Sequence, residues 1–127
     1  MKERYIKQGD IFFCSDIADT IGSEQKWNRP VIIISVKALN KGRENVIVIP
    51  ITSEKKIDMV THYSLNNDDY RFLTYEDNTA LLENLSDVSK WRLGEKFGKL
   101  TADDLKNIIE LTKYLFKDYY IDNPTQL

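Results

Sequence analysis

The 127-residue sequence holds one cysteine, one histidine, three prolines and five glycines, and each scarcity closes off a class of protein. With Cys14 alone no disulfide forms within the chain, so a reducing compartment is the natural setting. Cys14 itself reads as a small strand residue rather than a nucleophile. A single imidazole, His62, excludes a paired-histidine nuclease mechanism within one subunit. There is no zinc-type His/Cys spacing, no HExxH, no GxxxxGK[ST] phosphate loop and no GxSxG elbow. The acid pairs Asp68-Asp69 and Asp103-Asp104 read as a loop and a helix start, not as a two-metal site. No metal or cofactor is therefore expected. No apolar run is long enough to span a bilayer, and Met1 to Asp10 is charged without the apolar segment of a secretion signal. A cytoplasmic protein without membrane contact is expected. The net charge of -2 and sequence pI near 5.4 give no global attraction to phosphate, so any nucleic-acid site must be a local patch.

What is present points to one small β-rich domain. The length and the 42% hydrophobic content suit a single domain over 1–127, with a core from about 8 to 118. Ile11 to Cys14 reads as a first strand, followed by a polar loop from Ser15 to Asn28. Val31 to Val36 and Val46 to Ile51 are β-branched runs that read as central strands, with a hairpin turn at Asn40 to Arg43 between them. Val60 to Leu65 alternates more weakly, as a less buried strand does. Asn66 to Asp77 carries Tyr70, Phe72 and Tyr75, expected to cover the core in preference to forming a binding surface. Asn78 to Glu83 and Arg92 to Lys99 are further strands, and Ser86 to Lys90 between them suits one helical turn. Thr101 followed by Asp104 resembles a capping box, and Leu105, Ile108, Ile109, Thr112, Leu115 and Phe116 follow at helical spacing. After Tyr120 the pattern breaks and the tail is expected to fray. Short strands with one final helix predict a mainly β fold with a C-terminal α-helix.

One loop concentrates chemistry. Gly22-Ser23-Glu24-Gln25-Lys26-Trp27-Asn28-Arg29-Pro30 packs many polar groups against the buried run that follows. Gly22-Ser23-Glu24-Gln25, Arg29-Pro30, Pro50-Ile51-Thr52-Ser53, Leu81-Leu82-Glu83-Asn84, Arg92-Leu93-Gly94 and Gly98-Lys99-Leu100, in that order, resemble the MazF/PemK (Kid) family of toxin endoribonucleases. The resemblance spans roughly Gly9 to Phe116, and the ordered set is far more specific than any one motif. It implies an SH3-like antiparallel barrel of the MazF/CcdB type, usually a homodimer. It also implies metal-independent, sequence-selective cleavage of single-stranded RNA through the 2′-hydroxyl to a 2′,3′-cyclic phosphate, with Arg29 and Thr52 as the central pair. A cognate antitoxin is the implied partner, with operator DNA engaged only in the antitoxin complex.

The residue types fit that chemistry. A guanidinium fork binds two phosphoryl oxygens and strengthens its hold as charge develops, which suits Arg29. As a base it is poor, since arginine scarcely deprotonates in proteins. Thr52 offers a hydroxyl donor. Glu24, the only carboxylate in the loop, is the candidate base, with the base left open; a salt bridge to Lys26 or Arg29 is its alternative. Ser23, Gln25 and Ser53 are candidate contacts to RNA sugar or backbone. Trp27 either stacks on a base or anchors the loop. Lys26, with Lys55, Lys56 and Arg92, offers a local basic patch. Asn84 stands where the family usually carries Gln, and Lys26-Trp27 replaces small residues, departures that bear on the RNA sequence read and not on the reaction class. His62 is expected to be structural, and Trp91 core or dimer interface. The rival readings are a CcdB-like topoisomerase poison and a catalytically silent RNA-binding or repressor module.

Overall fold

In the computed structural model the described residues are 5–18, 26–53, 59–73 and 77–116, with backbone alone for 16–18, 26 and 27. Seven strands and two helices follow in order: β1 Asp10–Ala18, β2 Lys26–Ile33, α1 Lys37–Gly42, β3 Asn45–Thr52, β4 His62–Leu65, β5 Asn78–Leu81, β6 Ser86–Ser89, β7 Leu93–Lys99 and α2 Ala102–Thr112. All strand pairs are antiparallel. The sheet order is β4-β5-β3-β2-β1-β7, with β6 also on β3.

β3 is the hub of this sheet. One edge pairs β2 (Val31 opposite Pro50, Ile33 opposite Val48), while its other edge is shared. Asn45 to Val48 take β6, and Ile51 and Thr52 take β5. A strand serving two partners on one edge must bend between them, and the bend curls the sheet into an incompletely closed, barrel-like fold.

Both faces of the central strands are buried, which is why they read as unbroken apolar runs instead of alternating ones. Ile11, Ile32, Ile49 and Ile51 point to one side, where Tyr70, Leu82, Leu100 and Ile108 of α2 cover them. Phe12, Cys14, Val31, Ile33, Val46 and Val48 point to the other and meet Val88 and Leu93. Cys14 is buried and reduced, the small strand residue expected.

Helix α2 is held at its start. The Thr101 hydroxyl accepts from the Asp104 amide at 3.2 Å, the cap expected from the sequence. The Asp104 carboxylate in turn accepts from the hydroxyls of Tyr63 (2.5 Å) and Tyr70. Gly9 enters the sheet at φ 92°, a backbone conformation that L side chains rarely adopt, and its carbonyl accepts from the Leu100 amide at 2.8 Å.

Four expectations are corrected. The polar loop after the first strand is shorter than Ser15 to Asn28, because β1 and β2 extend into it, with Ile17 opposite Trp27 and Ala18 opposite Lys26. Backbone pairing there overrides side-chain polarity. The Asn40 to Arg43 turn is the end of helix α1, and β2 stops at Ile33. Buried Asn40 explains it: the amide donates to Ile6 and Ser35 carbonyls and accepts from the Ser35 hydroxyl, which coils the segment. Ser86–Ser89 is a strand, not a helical turn, since pairing with β3 buries Val88 opposite Val46 while Arg43 and Asn45 grip Asp87. Those contacts, the Asn45 hydrogen bond foremost, hold the Asp87 carboxyl below its ordinary value. Finally, α2 ends at Thr112 and Lys113–Phe116 forms a 3-10 turn. Residues 117–127, including the expected frayed tail, lie outside the described residues.

Candidate active site

The site is built where β2 and β3 run out together. Val31 lies opposite Pro50 at the end of the β2–β3 register, with Arg29 two residues before Val31 and Thr52 two residues after Pro50. Directly opposed residues of an antiparallel pair project to the same face. Cys14 lies opposite Arg29 on β1, Thr79 opposite Thr52 on β5 and Ser64 opposite Thr79 on β4. Thr52, Thr79 and Ser64, from three adjacent strands, therefore share one line across the sheet. Arg29 is half-buried, whereas Thr52 is 1% exposed. As folded, Thr52 is covered.

The opposite face of the same strand ends opens into a pocket of about 380 Å³. Pro30, Ile51, Asn28 and Ser53 contribute from β2 and from the end of β3, and Arg29 forms part of the wall. Phe13, Phe97, Phe72, Leu73 and Asn78 close it. Ser53 thus lies with Arg29 at the pocket, while Thr52 points to the other side.

The remaining sequence candidates are placed as follows. Ser23, Glu24 and Gln25 lie outside the described residues, as do Lys55, Lys56 and Tyr75. Lys26 and Trp27 belong to β2, with their side chains outside the description. Asn84 ends a 3-10 turn after β5, where its carbonyl accepts from the Ser86 hydroxyl at 2.9 Å, and it is not part of the pocket wall. Arg92 departs from the basic-patch reading: its guanidinium donates to the Ser15 carbonyl at 3.0 and 2.7 Å and clamps β1 to the turn before β7. His62 takes the structural part expected, its Nε2 lying 2.6 Å from the Glu83 carboxylate at the junction of β4 and the turn after β5. Trp91 is 71% exposed, so the core half of its expectation fails. Tyr70 is fully buried as cover, whereas Phe72 also lines the pocket. Among the described residues no three His, Cys, Asp or Glu side chains converge on a point that a metal ion would occupy, and no helix is long and apolar enough to cross a membrane.

Comparison with known proteins decides the family. The model of the PemK-like, MazF-like toxin of type II toxin-antitoxin systems matches residues 7–116. This chain belongs to the PemK/MazF toxin family. Endoribonuclease EndoA of Bacillus subtilis (strain 168) is 31% identical over 106 residues, covering 83% of this chain and 89% of its own. Among solved structures, MazF (Form-I) of Deinococcus radiodurans superposes with a TM-score of 0.70 at 18% identity, covering 89% of this chain and 97% of its own. A mycobacterial endoribonuclease in complex with its cognate antitoxin gives 0.66 at 18% identity, covering 86% and 92%. At those identities the structures speak for the fold alone, and the fold agrees with the small antiparallel barrel plus C-terminal helix expected of a PemK/MazF chain.

Sequence reasoning missed the aromatic half of the pocket in this PemK/MazF domain. Phe13 and Phe97 look like ordinary strand residues, and only pairing of β1 with β7 brings them together. One signal was available: Gly98 in the middle of a strand pattern marks a close approach. A Cβ there would stand 2.8 Å from the Phe72 ring.

Proposed function

We propose that this PemK/MazF protein is a metal-independent, sequence-selective endoribonuclease toxin that cuts single-stranded RNA through its own 2′-hydroxyl. What supports the reading is the match to PemK-like, MazF-like toxins and to endoribonuclease EndoA, together with Arg29 on β2 and Thr52 at the end of β3, two neighbouring antiparallel strands.

Cleavage by this route has three demands. The 2′-oxygen loses a proton and attacks phosphorus, charge builds on the non-bridging oxygens, and the P–O5′ bond breaks as the departing oxygen gains a proton. Arg29, a permanent cation with a planar donor fork, meets the second demand and supplies the largest share of stabilisation. Thr52 adds one neutral donor to the same oxygens. Glu24 is the candidate acceptor of the 2′-proton, and the departing oxygen takes its proton from water. Bond making and breaking at one phosphorus leave a 2′,3′-cyclic phosphate and a 5′-hydroxyl. Ser23, Gln25, Lys26, Trp27, Ser53 and Asn84 are assigned to holding the strand and choosing the sequence.

A nuclease of this kind requires restraint in the cell that makes it. We assign that role to a cognate antitoxin that covers the RNA groove of a homodimer in the cytoplasm, with operator DNA engaged only by the toxin-antitoxin complex. The exposed Trp91, Val36 and Leu39 are apolar surface available to such contacts.

The test is incubation of wild type and Arg29→Ala with a long unstructured RNA in excess EDTA, with both RNA ends mapped. Discrete cuts by wild type alone, carrying cyclic phosphate or its opened product, are expected. Intact RNA with folded wild type would overturn the reading and favour the topoisomerase-poison or binding-module alternatives.

A further inference from the structure

The chain carries a net charge of -2, yet three ammonium groups gather beyond the end of β2 that lies away from Arg29. Tyr5 and Lys7 are exposed in the segment that leads into β1, while Ile6 between them is buried. Lys37 and Lys41 are one turn apart on α1, so they share a face. Lys7 Nζ lies 5.0 Å and Lys37 Nζ 5.4 Å from the centre of the Tyr5 ring. A hydrogen bond from Lys37 to the phenol, then the charges of Lys37, Lys7 and Lys41, hold Tyr5 below its ordinary value.

The backbone fixes this cluster. The Asn40 amide donates to the Ile6 carbonyl at 3.2 Å, the Gln8 amide to the Ile34 carbonyl at 2.7 Å and the Gly9 N–H to the Ile33 carbonyl at 2.7 Å, which ties the segment carrying Tyr5 and Lys7 to the β2–α1 connection. Like charges this close repel, and the face of the Tyr5 ring offsets part of that repulsion. Arg43, Lys96 and Lys113 each stand 3.0 to 3.2 Å from a carboxylate, whereas Lys7, Lys37 and Lys41 form no ion pair among the described residues. Cations held together without a counter-charge attract an anion from solution.

Ammonium groups spread over two segments suit a row of phosphates, and an exposed aromatic ring among them is the combination by which proteins follow single strands without regard to sequence. Position adds a length requirement. Arg29 and Ile33 are four residues apart on β2, about 14 Å, so an RNA held at Arg29 meets the lysines only with nucleotides beyond the cut. We propose that Lys7, Lys37 and Lys41, gathered around Tyr5, form a second contact for the RNA backbone that holds the strand outside the cleavage site. The proposal rests on the endoribonuclease reading and makes affinity depend on RNA length.

The test compares a short RNA limited to a mapped cut site with one extended on both sides by uridines, each made uncleavable by a 2′-deoxy sugar at the attacked position. Fluorescence anisotropy over a range of salt gives affinities for the full-length wild type, for the triple variant Lys7→Gln, Lys37→Gln, Lys41→Gln and for its Arg counterpart; thermal melts confirm that each is folded. For wild type, log affinity should fall with log salt more steeply on the long RNA than on the short one. The difference in slope should be about 2, since each of three phosphate contacts to a single strand adds about 0.7. The Gln variant should lose that difference and still cut the short RNA at the wild-type rate, while the Arg variant keeps it. A wild-type slope that ignores length, or a Gln variant that binds the long RNA as wild type does, would overturn the second contact and leave the nuclease standing; lysines that serve an acidic protein give this result. A folded wild type that cuts no RNA overturns both.

Discussion

Thr52→Val separates chemistry from architecture at the centre of the proposed site. Thr52 is 1% exposed, inside β3 and opposite Thr79, and valine fills the same volume without the hydroxyl. No cavity opens, so the packing contribution stays near zero and two costs remain. The stability cost is one net hydrogen bond, about 0.5–1.5 kcal/mol. For a domain of this size that lowers Tm by about 3–5 °C per kcal/mol. The kinetic cost, if the hydroxyl donates to the phosphoryl oxygens in the transition state, is about 10²- to 10³-fold in rate, or roughly 3–4 kcal/mol. The two lie far enough apart to be read independently. Single-turnover cleavage of a fluorogenic RNA at saturating protein gives the rate, and a melt gives the stability. Thr52→Ser restores the hydroxyl and should recover most of the rate. A Thr52→Val protein that cuts within a few-fold of wild type, with only the drop in Tm, would make Thr52 a buried strand residue and remove it from the mechanism.

Two further predictions concern the frame around the site. Tyr70→Phe keeps the ring but removes a hydroxyl that donates to Asp104 and accepts from the Thr101 amide, so urea unfolding should show a loss of about 1–3 kcal/mol. Burial, then the Asp104 hydrogen bond, pushes Tyr70 up to about 12 from an ordinary 10. Between those values the folded protein keeps a proton that the unfolded chain releases, so this contribution is complete below about pH 10 and is lost as pH rises toward 12. The phenylalanine variant should flatten that decline, with a residual slope from Tyr63, raised in the same direction by burial and Asp104; parallel curves for the two proteins would refute the assignment. Gly98→Ala drives a methyl group to within 2.8 Å of the Phe72 ring, which must give way, and should cost about 1–3 kcal/mol by thermal melt. An unchanged Tm would mean the ring has room to move.

Much of this protein was legible from its residues. The β-branched runs of β2 and β3 announced central strands because strands buried on both faces need apolar side chains at every position. Thr101 and Asp104 announced the start of α2 because a cap is a local hydrogen bond between near neighbours. The ordered motifs around Arg29-Pro30 and Thr52 were enough to indicate the family. Where reading failed, distant partners decided the outcome. Ser86–Ser89 is a strand only because β3 lies beside it, and the Asn40 segment coils because Ile6 and Ser35 receive its amide. Arg92 looked like a phosphate ligand and is instead occupied by the Ser15 carbonyl. The division of the site between two faces was equally hidden. Strand alternation separates Thr52 from Ser53, and only the pairing of β2 with β3 brings the strand of Arg29 beside that of Thr52. The phenyl pocket is the extreme case, since Phe13, Phe72 and Phe97 are far apart in the chain and meet through the β1–β7 ladder and a ring resting on Gly98. Local propensity and spacing carry information about neighbours in sequence, whereas a pocket is made by residues that only the closed sheet brings together.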